Sequence, residues 1–181
     1  FIMSLNHPKS GPNNVGMYQM SGIPFVTSSV ASEVPGPDDD SQSLPIKVEF
    51  PYVTKFITVR NTGINELRVG FSADGVVGPG ERLGSANADK HANGTRNYFL
   101  IPSASSIAGV AADGPVHGSS ATIQTFDVRC KEVYFLSNVA KNNSPAAAGL
   151  STSFTLLAGL TGILASAFPV LTGSSGFTGV G

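Results

Sequence analysis

Charged side chains are scarce in this sequence, and they are absent from its last part. Lys and Arg number 11 and Asp and Glu 12 among 181 residues, so 13% of the chain is charged, about half the share usual in soluble domains. The last charged residue is Lys141, and residues 142–181 carry no charge. A formal net charge of −1 supplies no basic field for a row of phosphates, so we expect no nucleic-acid partner.

Cysteine is also nearly missing. Cys130 is the single cysteine, which excludes a disulfide within the chain and a zinc site built from several cysteines. It ends a stretch in which Phe126, Val128 and Cys130 alternate with polar residues. We expect this thiol to be buried and unreactive, because a nucleophilic cysteine needs a neighbouring base or cation that lowers its pKa.

Residue patterns for catalysis are missing as well. His7, His91 and His117 lie in separate Gly-, Asn- or Pro-rich stretches without the spacing of metal ligands. The glycines of residues 75–80 lack the Lys and Ser or Thr of a phosphate-binding loop, and the aspartates of residues 38–40 lack the glycine and distal glutamate of a calcium loop. We therefore expect no enzyme, and we assign no catalytic, cofactor-binding or metal-binding residue.

Short β-rich stretches separated by Gly- and Pro-rich turns make up most of the chain. Ile46, Val48 and Phe50, for example, alternate with polar residues as in a sheet with one solvated face. About nine strands are predicted, at residues 23–30, 46–50, 55–60, 67–72, 97–102, 122–130, 133–136, 151–160 and 167–172. No amphipathic helix of three turns is predicted, so the pattern indicates an all-β sandwich or barrel.

The connections between the strands also have sequence signals. Residues 61–65 are short and turn-forming, which predicts an antiparallel hairpin between the strands on either side. The alternation changes phase near Lys131, which predicts a bulge or a tight corner. Residues 103–120 are nearly all small and include helix-breaking glycines, which predicts a surface loop.

The start of the chain differs from the rest. Residues 6–14 contain two prolines, three asparagines and a glycine, a composition that disfavours both helix and sheet. The opening also lacks the basic and apolar stretches of a signal peptide, so we expect none. We predict an extended N-terminal arm over residues 1–21 and a single domain over residues 22–181.

The uncharged C-terminal part leaves two interpretations open. Residues 154–171 form 18 consecutive uncharged residues, long enough to consider a transmembrane helix. Gly159, Gly162 and Pro169 interrupt this stretch, and no interfacial Trp or Tyr marks it. We favour a pair of strands that are buried on both faces or covered by a neighbouring subunit, since permanent interfaces select uncharged surface, and we expect no membrane contact.

Five stretches of the sequence carry a family resemblance. They are KFITVRNTGINELRVGFSADGV from residue 55, NYFLIPSASS from residue 97, TFDVRCKEVYFLSN from residue 125, LLAGLTGI from residue 156 and FPVLTGSSGFTGVG from residue 168. In this order they resemble the penton, or vertex, proteins of large icosahedral double-stranded DNA viruses, particularly those that infect algae. The resemblance covers about residues 50–181 and consists of strand patterns and turns, without a catalytic signature.

This resemblance implies a fold and a structural function. The fold would be a single jelly-roll β-sandwich of about eight strands, with long loops and the extended N-terminal arm. The chain would form a homopentamer at the fivefold vertices of the capsid in the virion, next to major and minor capsid proteins, and the arm would strap onto these neighbours. A ring needs two different complementary patches, for which the apolar C-terminal strands and residues 103–120 are candidates.

Two other functions stay open. The chain would also suit a glycan-binding, lectin-like module, although it has no tryptophan, and Tyr98 and Tyr134 lie in predicted strands as core or interface residues. A membrane-tethered minor virion protein would use residues 154–171 as its anchor.

A charge at Leu157 or Ile163 is expected to block folding or ring formation, whereas a charge at Asn93, which begins a glycosylation acceptor triplet, is expected to be tolerated.

Overall fold

The fold consists almost entirely of β-strands. The computed structural model describes residues 23–29, 34, 45–77, 96–103, 122–138 and 152–168. The strands are β1 (Pro24–Ser28), β2 (Ile46–Glu49), β3 (Tyr52–Asn61), β4 (Leu67–Gly70), β5 (Tyr98–Ile101), β6 (Ile123–Phe126), β7 (Glu132–Ser137) and β8 (Phe154–Leu164). One short helix, α1 (Ala73–Val76), follows β4, and a 3-10 turn (Ala165–Ala167) follows β8.

The eight strands form two four-stranded antiparallel sheets. The first sheet has the order β1-β8-β3-β6, and the second has the order β2-β7-β4-β5. Each sheet thus brings together strands that are distant in sequence. The predicted all-β sandwich is confirmed. In the described ranges no helix is long and apolar enough to span a bilayer.

The hydrophobic core lies between the two sheets. In β8, Leu156, Ala158 and Leu160 point inward and are buried, because side chains alternate between the two faces of a strand. Phe154 of β8 stacks on Phe135 of β7 with ring centroids 3.9 Å apart, which joins the two sheets at the core. Residues from all eight strands contribute to or pack against this one cluster.

The predicted hairpin between β3 and β4 is wrong. β3 pairs with β6 and β8 in the first sheet, whereas β4 pairs with β5 and β7 in the second. The connection therefore crosses from one sheet to the other. Asn61 holds it in place, since its Nδ2 donates to the carbonyl oxygens of Asn65 at 2.8 Å and Ile101 at 3.2 Å, and its Oδ1 accepts from the Gly63 amide at 3.0 Å. Gly63 has no room for a side chain, because a Cβ there would overlap Thr152 Oγ1.

A corner between β6 and β7 confirms the predicted change of phase near Lys131. β6 ends at Phe126, earlier than the predicted strand over residues 122–130, and the chain then crosses to the second sheet. Thr54 fixes the corner where β3 is irregular, because its hydroxyl donates to Val128 O at 2.9 Å and accepts from the Cys130 amide at 3.0 Å. Residues 127–130, just before the corner, are not part of a strand, although apolar and polar residues alternate along them.

The uncharged C-terminal stretch begins as a strand. Residues 154–164 form β8, which pairs with β1 on one side and β3 on the other, so a transmembrane helix over residues 154–171 is wrong. β8 is not buried on both faces within the chain, because Leu157 and Leu164 on the outer side are exposed; cover by a neighbouring subunit, the other expectation, stays a prediction. Of the predicted ninth strand over residues 167–172, Ala167 belongs to the 3-10 turn, and residues 169–172 lie outside the described residues.

Candidate interaction surfaces

Side chains that could bind a metal ion do not cluster in the part of the chain that the structure describes. Within those ranges, no three His, Cys, Asp or Glu side chains are placed to hold a metal ion. The three histidines, the aspartates of residues 38–40, Asn93 and the arm at residues 1–21 lie outside the described residues, as do residues 104–120 of the predicted loop. Gly75 of the glycine-bearing stretch is buried in α1, and residues 78–80 are outside as well.

Cys130 is buried, as predicted. Burial raises the pKa of its thiol to about 11, and a hydrogen bond with the Thr54 hydroxyl at 3.3 Å opposes this rise without cancelling it. The thiol is therefore protonated at neutral pH, and the thiolate is the reactive form. The predicted burial of Cys130 is confirmed, and its lack of reactivity stays a prediction that the raised pKa supports.

The outer face of the second sheet is covered in part by the chain itself. Ser72 caps α1 through its hydroxyl, which accepts from the Gly75 amide at 2.9 Å, and Val76 and Val77 then pack on Tyr134 and Leu136 of β7. The predicted loop tip over residues 75–80 thus begins as a cover over this sheet.

A buried arginine lies under this cover. The Arg68 guanidinium donates to Val76 O at 3.1 Å and to Asn138 Oδ1 at 2.8 Å, and it lies 4.6 Å from the centroid of the Tyr98 ring. Asn138 in turn donates to Glu66 at 2.7 Å. These contacts satisfy the cation inside the fold, so Arg68 contributes to structure and not to an exposed basic site.

The β2 edge of the second sheet carries paired charges. Lys47 Nζ lies 2.6 Å from Glu49 Oε1 and 2.9 Å from Glu132 Oε2. The hydrogen bonds that Lys47 donates to Glu49 and Glu132 hold the pKa of Lys47 well above its ordinary value, and Lys47 lowers the pKa of Glu49. An open hollow of about 310 Å³ adjoins the two glutamates and is lined by Glu49, Phe50, Lys131, Glu132, Ala165 and Ser166. Lys47 pairs with both carboxylates, so its single positive charge offsets their two negative charges in part.

The outer face of the first sheet, by contrast, is open and nearly uncharged. Val26, Leu157, Thr58 and Thr125 lie in register across the four strands, and the two threonine hydroxyls are 2.9 Å apart. Val26 is 66% exposed and Leu157 is 40% exposed. Arg60 is the single charged side chain among the paired residues of this face. We call Val26 and Leu157, on neighbouring strands, the β1/β8 surface.

The opposite end of the sandwich exposes a second apolar surface. β5 is the last strand of the second sheet and β6 the last strand of the first, and Phe99 of β5 lies 5.1 Å from Phe126 of β6 between ring centroids. Phe99 is 55% exposed, Leu100 is 48% exposed, and Ile123 of β6 is also exposed. Neither strand contains a charge or a proline. We call these three exposed residues the β5/β6 edge.

Sequence reasoning found one of these surfaces in part. The missing charges drew attention to β8, which supplies Leu157, but not to its neighbour β1. It missed the β5/β6 edge, although the uncharged stretches YFLI and IQTF are visible in the sequence. Which strands lie at the edge of a sheet is a property of the topology.

Comparisons with known proteins add no family to this fold. No protein-family model, no curated protein and no solved structure matches the chain. The resemblance to penton proteins therefore stays a prediction, and the two exposed apolar surfaces of the sandwich are the observations from which a function is argued.

Proposed function

We propose that this chain is a structural capsid protein, a penton whose copies form a pentamer at the fivefold vertices of an icosahedral double-stranded DNA virus. In the virion it would contact itself and the neighbouring major and minor capsid proteins. It would have no catalytic function.

The observation that carries the proposal is the strand order. β1 pairs with β8, β2 with β7, β3 with β6 and β4 with β5, so each strand pairs with its counterpart from the other end of the series. This is the pairing of one long antiparallel ribbon that is rolled up, with β1-β8-β3-β6 in one sheet and β2-β7-β4-β5 in the other. It supports a jelly roll, the eight-stranded double-sheet fold that viral capsid proteins share with lectin domains and cupins.

The surfaces of the sandwich allow these functions to be compared, since a fold alone does not define a function. A cupin-like enzyme would need a cluster of metal ligands, and the described residues hold none. The exposed residues Phe99, Leu100, Val26 and Leu157 are apolar. Uncharged exposed surface of this kind favours contact with another protein.

A glycan-binding module is the second function compatible with the fold. Such sites place exposed aromatic rings beside acids and amides. In the described ranges the most exposed aromatic ring is Phe99, which lies beside Phe126 and Leu100 instead. The glycan-binding proposal therefore rests on the strand order alone.

The size of the assembly in solution tests the proposal. The purified chain should elute in size-exclusion chromatography with light scattering at about 93 kDa, five times the subunit mass of 18.6 kDa, and electron micrographs should show rings. The number five comes from the family resemblance. A chain that stays at 18.6 kDa at the highest soluble concentration and binds glycans on an array would overturn the proposal in favour of the lectin-like module.

A further inference from the structure

We propose that residues 72–77 open as a unit separate from the two sheets, and that Arg68 holds them closed. We call this segment, which contains α1, the α1 cover. In the closed state it packs on Tyr134 and Leu136 of β7, so its opening uncovers an apolar part of the second sheet. The inference does not depend on the proposed function.

The two faces of the second sheet carry separate apolar clusters. The inner face contributes to the main core, which includes residues from both sheets. The outer face carries a small cluster in which Val76 and Val77 of the cover pack on Tyr134 and Leu136. None of residues 72–77 belongs to the main core. The sandwich can therefore keep its core when the cover opens, and such parts of a protein open at a lower free energy than that of global unfolding.

The α1 cover depends on the sheet beneath it for its structure. α1 is four residues long, and an isolated helix of one turn is not stable in water. The cover lies directly on the backbone of β4, because a Cβ at Gly70 would overlap Val76 Cγ1. When the cover leaves the sheet, its helical turn should therefore be lost with it.

Arg68 of β4 connects the cover to the sheet. Its Nη1 donates to Val76 O at 3.1 Å, and its Nε donates to Asn138 Oδ1 at 2.8 Å. The guanidinium also lies against the Tyr98 ring of β5. The contacts with Asn138 and Tyr98 do not involve the cover, whereas the bond to Val76 O exists only when the cover is closed. Because hydrogen bonds from a charged donor are among the strongest, this bond favours the closed state.

Thiol labelling of a Leu136→Cys chain measures the opening. Leu136 is fully buried in the outer cluster, and the native Cys130 lies in the main core, so each molecule carries one buried thiol in each cluster. Without urea, the introduced thiol should react with a maleimide about 100-fold faster than Cys130. Low urea should accelerate the reaction of Cys130 and leave that of the introduced thiol nearly unchanged, because opening the cover exposes much less surface than global unfolding does.

Two substitutions in this Leu136→Cys chain should open the cover. Arg68→Ala removes the donor to Val76 O and should speed labelling of the introduced thiol by about 10- to 100-fold. Gly70→Ala places a methyl group against Val76 and should speed it by about 10-fold. Gly159→Ala is the matched control, because its methyl group meets Phe56 in the first sheet, and it should leave this labelling rate unchanged.

Hydrogen exchange tests the opening in the unmodified chain. The Gly75 amide donates to Ser72 Oγ inside the cover, and the Thr54 amide donates to Cys130 O in the sandwich. The Gly75 amide should exchange about 100-fold faster than the Thr54 amide, after correction for their intrinsic exchange rates.

Three results would overturn the inference. Equal labelling rates for the two thiols, with equal dependence on urea, would show that the cover opens only when the whole chain unfolds. Equal protection of the Gly75 and Thr54 amides in the unmodified chain would show the same without any substitution. An unchanged labelling rate in Arg68→Ala would exclude Arg68 as the residue that holds the cover closed. The proposed function is tested separately by the size of the assembly, so it would stand in each of these cases.

Discussion

Replacing Ile163 or Leu157 with Asp tests two different roles of the uncharged residues in β8, one in the buried core and one on the exposed outer face. Ile163 is fully buried, so a carboxylate there is either desolvated or held protonated. A pKa raised by 3 to 5 units costs about 4–7 kcal/mol, and losing the buried isoleucine adds about 2–3 kcal/mol. Together these terms approach the roughly 5–15 kcal/mol that stabilises a whole domain. We therefore expect Ile163→Asp to leave the chain unfolded.

Leu157 should respond differently, because it lies on the outer side of the same strand and is 40% exposed. Solvent can hydrate a carboxylate at this position, so Leu157→Asp should cost no more than about 1–2 kcal/mol of stability. The variant should fold and lose assembly, since the charge lies on the β1/β8 surface. The sequence alone predicted that a charge at either position blocks folding or ring formation, and the structure assigns one effect to each.

Urea denaturation followed by circular dichroism measures the first effect, and light scattering measures the second. Ile64→Asp, a charge at an exposed apolar residue outside both surfaces, should leave stability and assembly unchanged. An Ile163→Asp protein that folds with a normal urea midpoint would refute the account of the core. A Leu157→Asp protein that fails to fold would refute the account of the outer face.

Two buried polar groups give further predictions. Asn61→Ala should lower the free energy of unfolding, measured in urea, by about 3 kcal/mol, because the Gly63 amide and the Ile101 carbonyl lose their partner. Thr62→Ala is the control. Thr62 is exposed and next along the chain, so its replacement should cost less than about 1 kcal/mol. The free energy of unfolding should fall as pH rises from about 9 to 11, because the Cys130 thiol ionises more readily in the unfolded chain than in the folded one. The loss should reach about 2.7 kcal/mol and be absent in Cys130→Ser; equal pH dependence in both proteins would contradict the raised pKa.

Local sequence patterns predicted the strands well and their partners poorly. The alternation of Ile46 and Val48 with charged residues is enough to predict β2. The turn at residues 61–65 suits a hairpin and a crossover equally, and the choice depends on contacts of Asn61 and Gly63 with Ile101 and Thr152, which lie far along the chain. Such long-range contacts leave no mark in the local pattern.

The exposed surfaces, like the strand partners, could be predicted from the sequence only in part. The absence of charge in β5, β6 and β8 is visible in the sequence, but an uncharged strand is equally suited to the centre or the edge of a sheet. The strand order makes β5 and β6 edges and leaves Val26 and Leu157 on an open face. The covering of the second sheet by Val76 and Val77 likewise appears only in three dimensions.

An electron cryomicroscopy map of the purified assembly tests the central claim most directly. We predict a ring of five copies. A map that shows isolated sandwiches, or pairs related by a twofold axis, would contradict the claim that this chain is a ring-forming structural subunit.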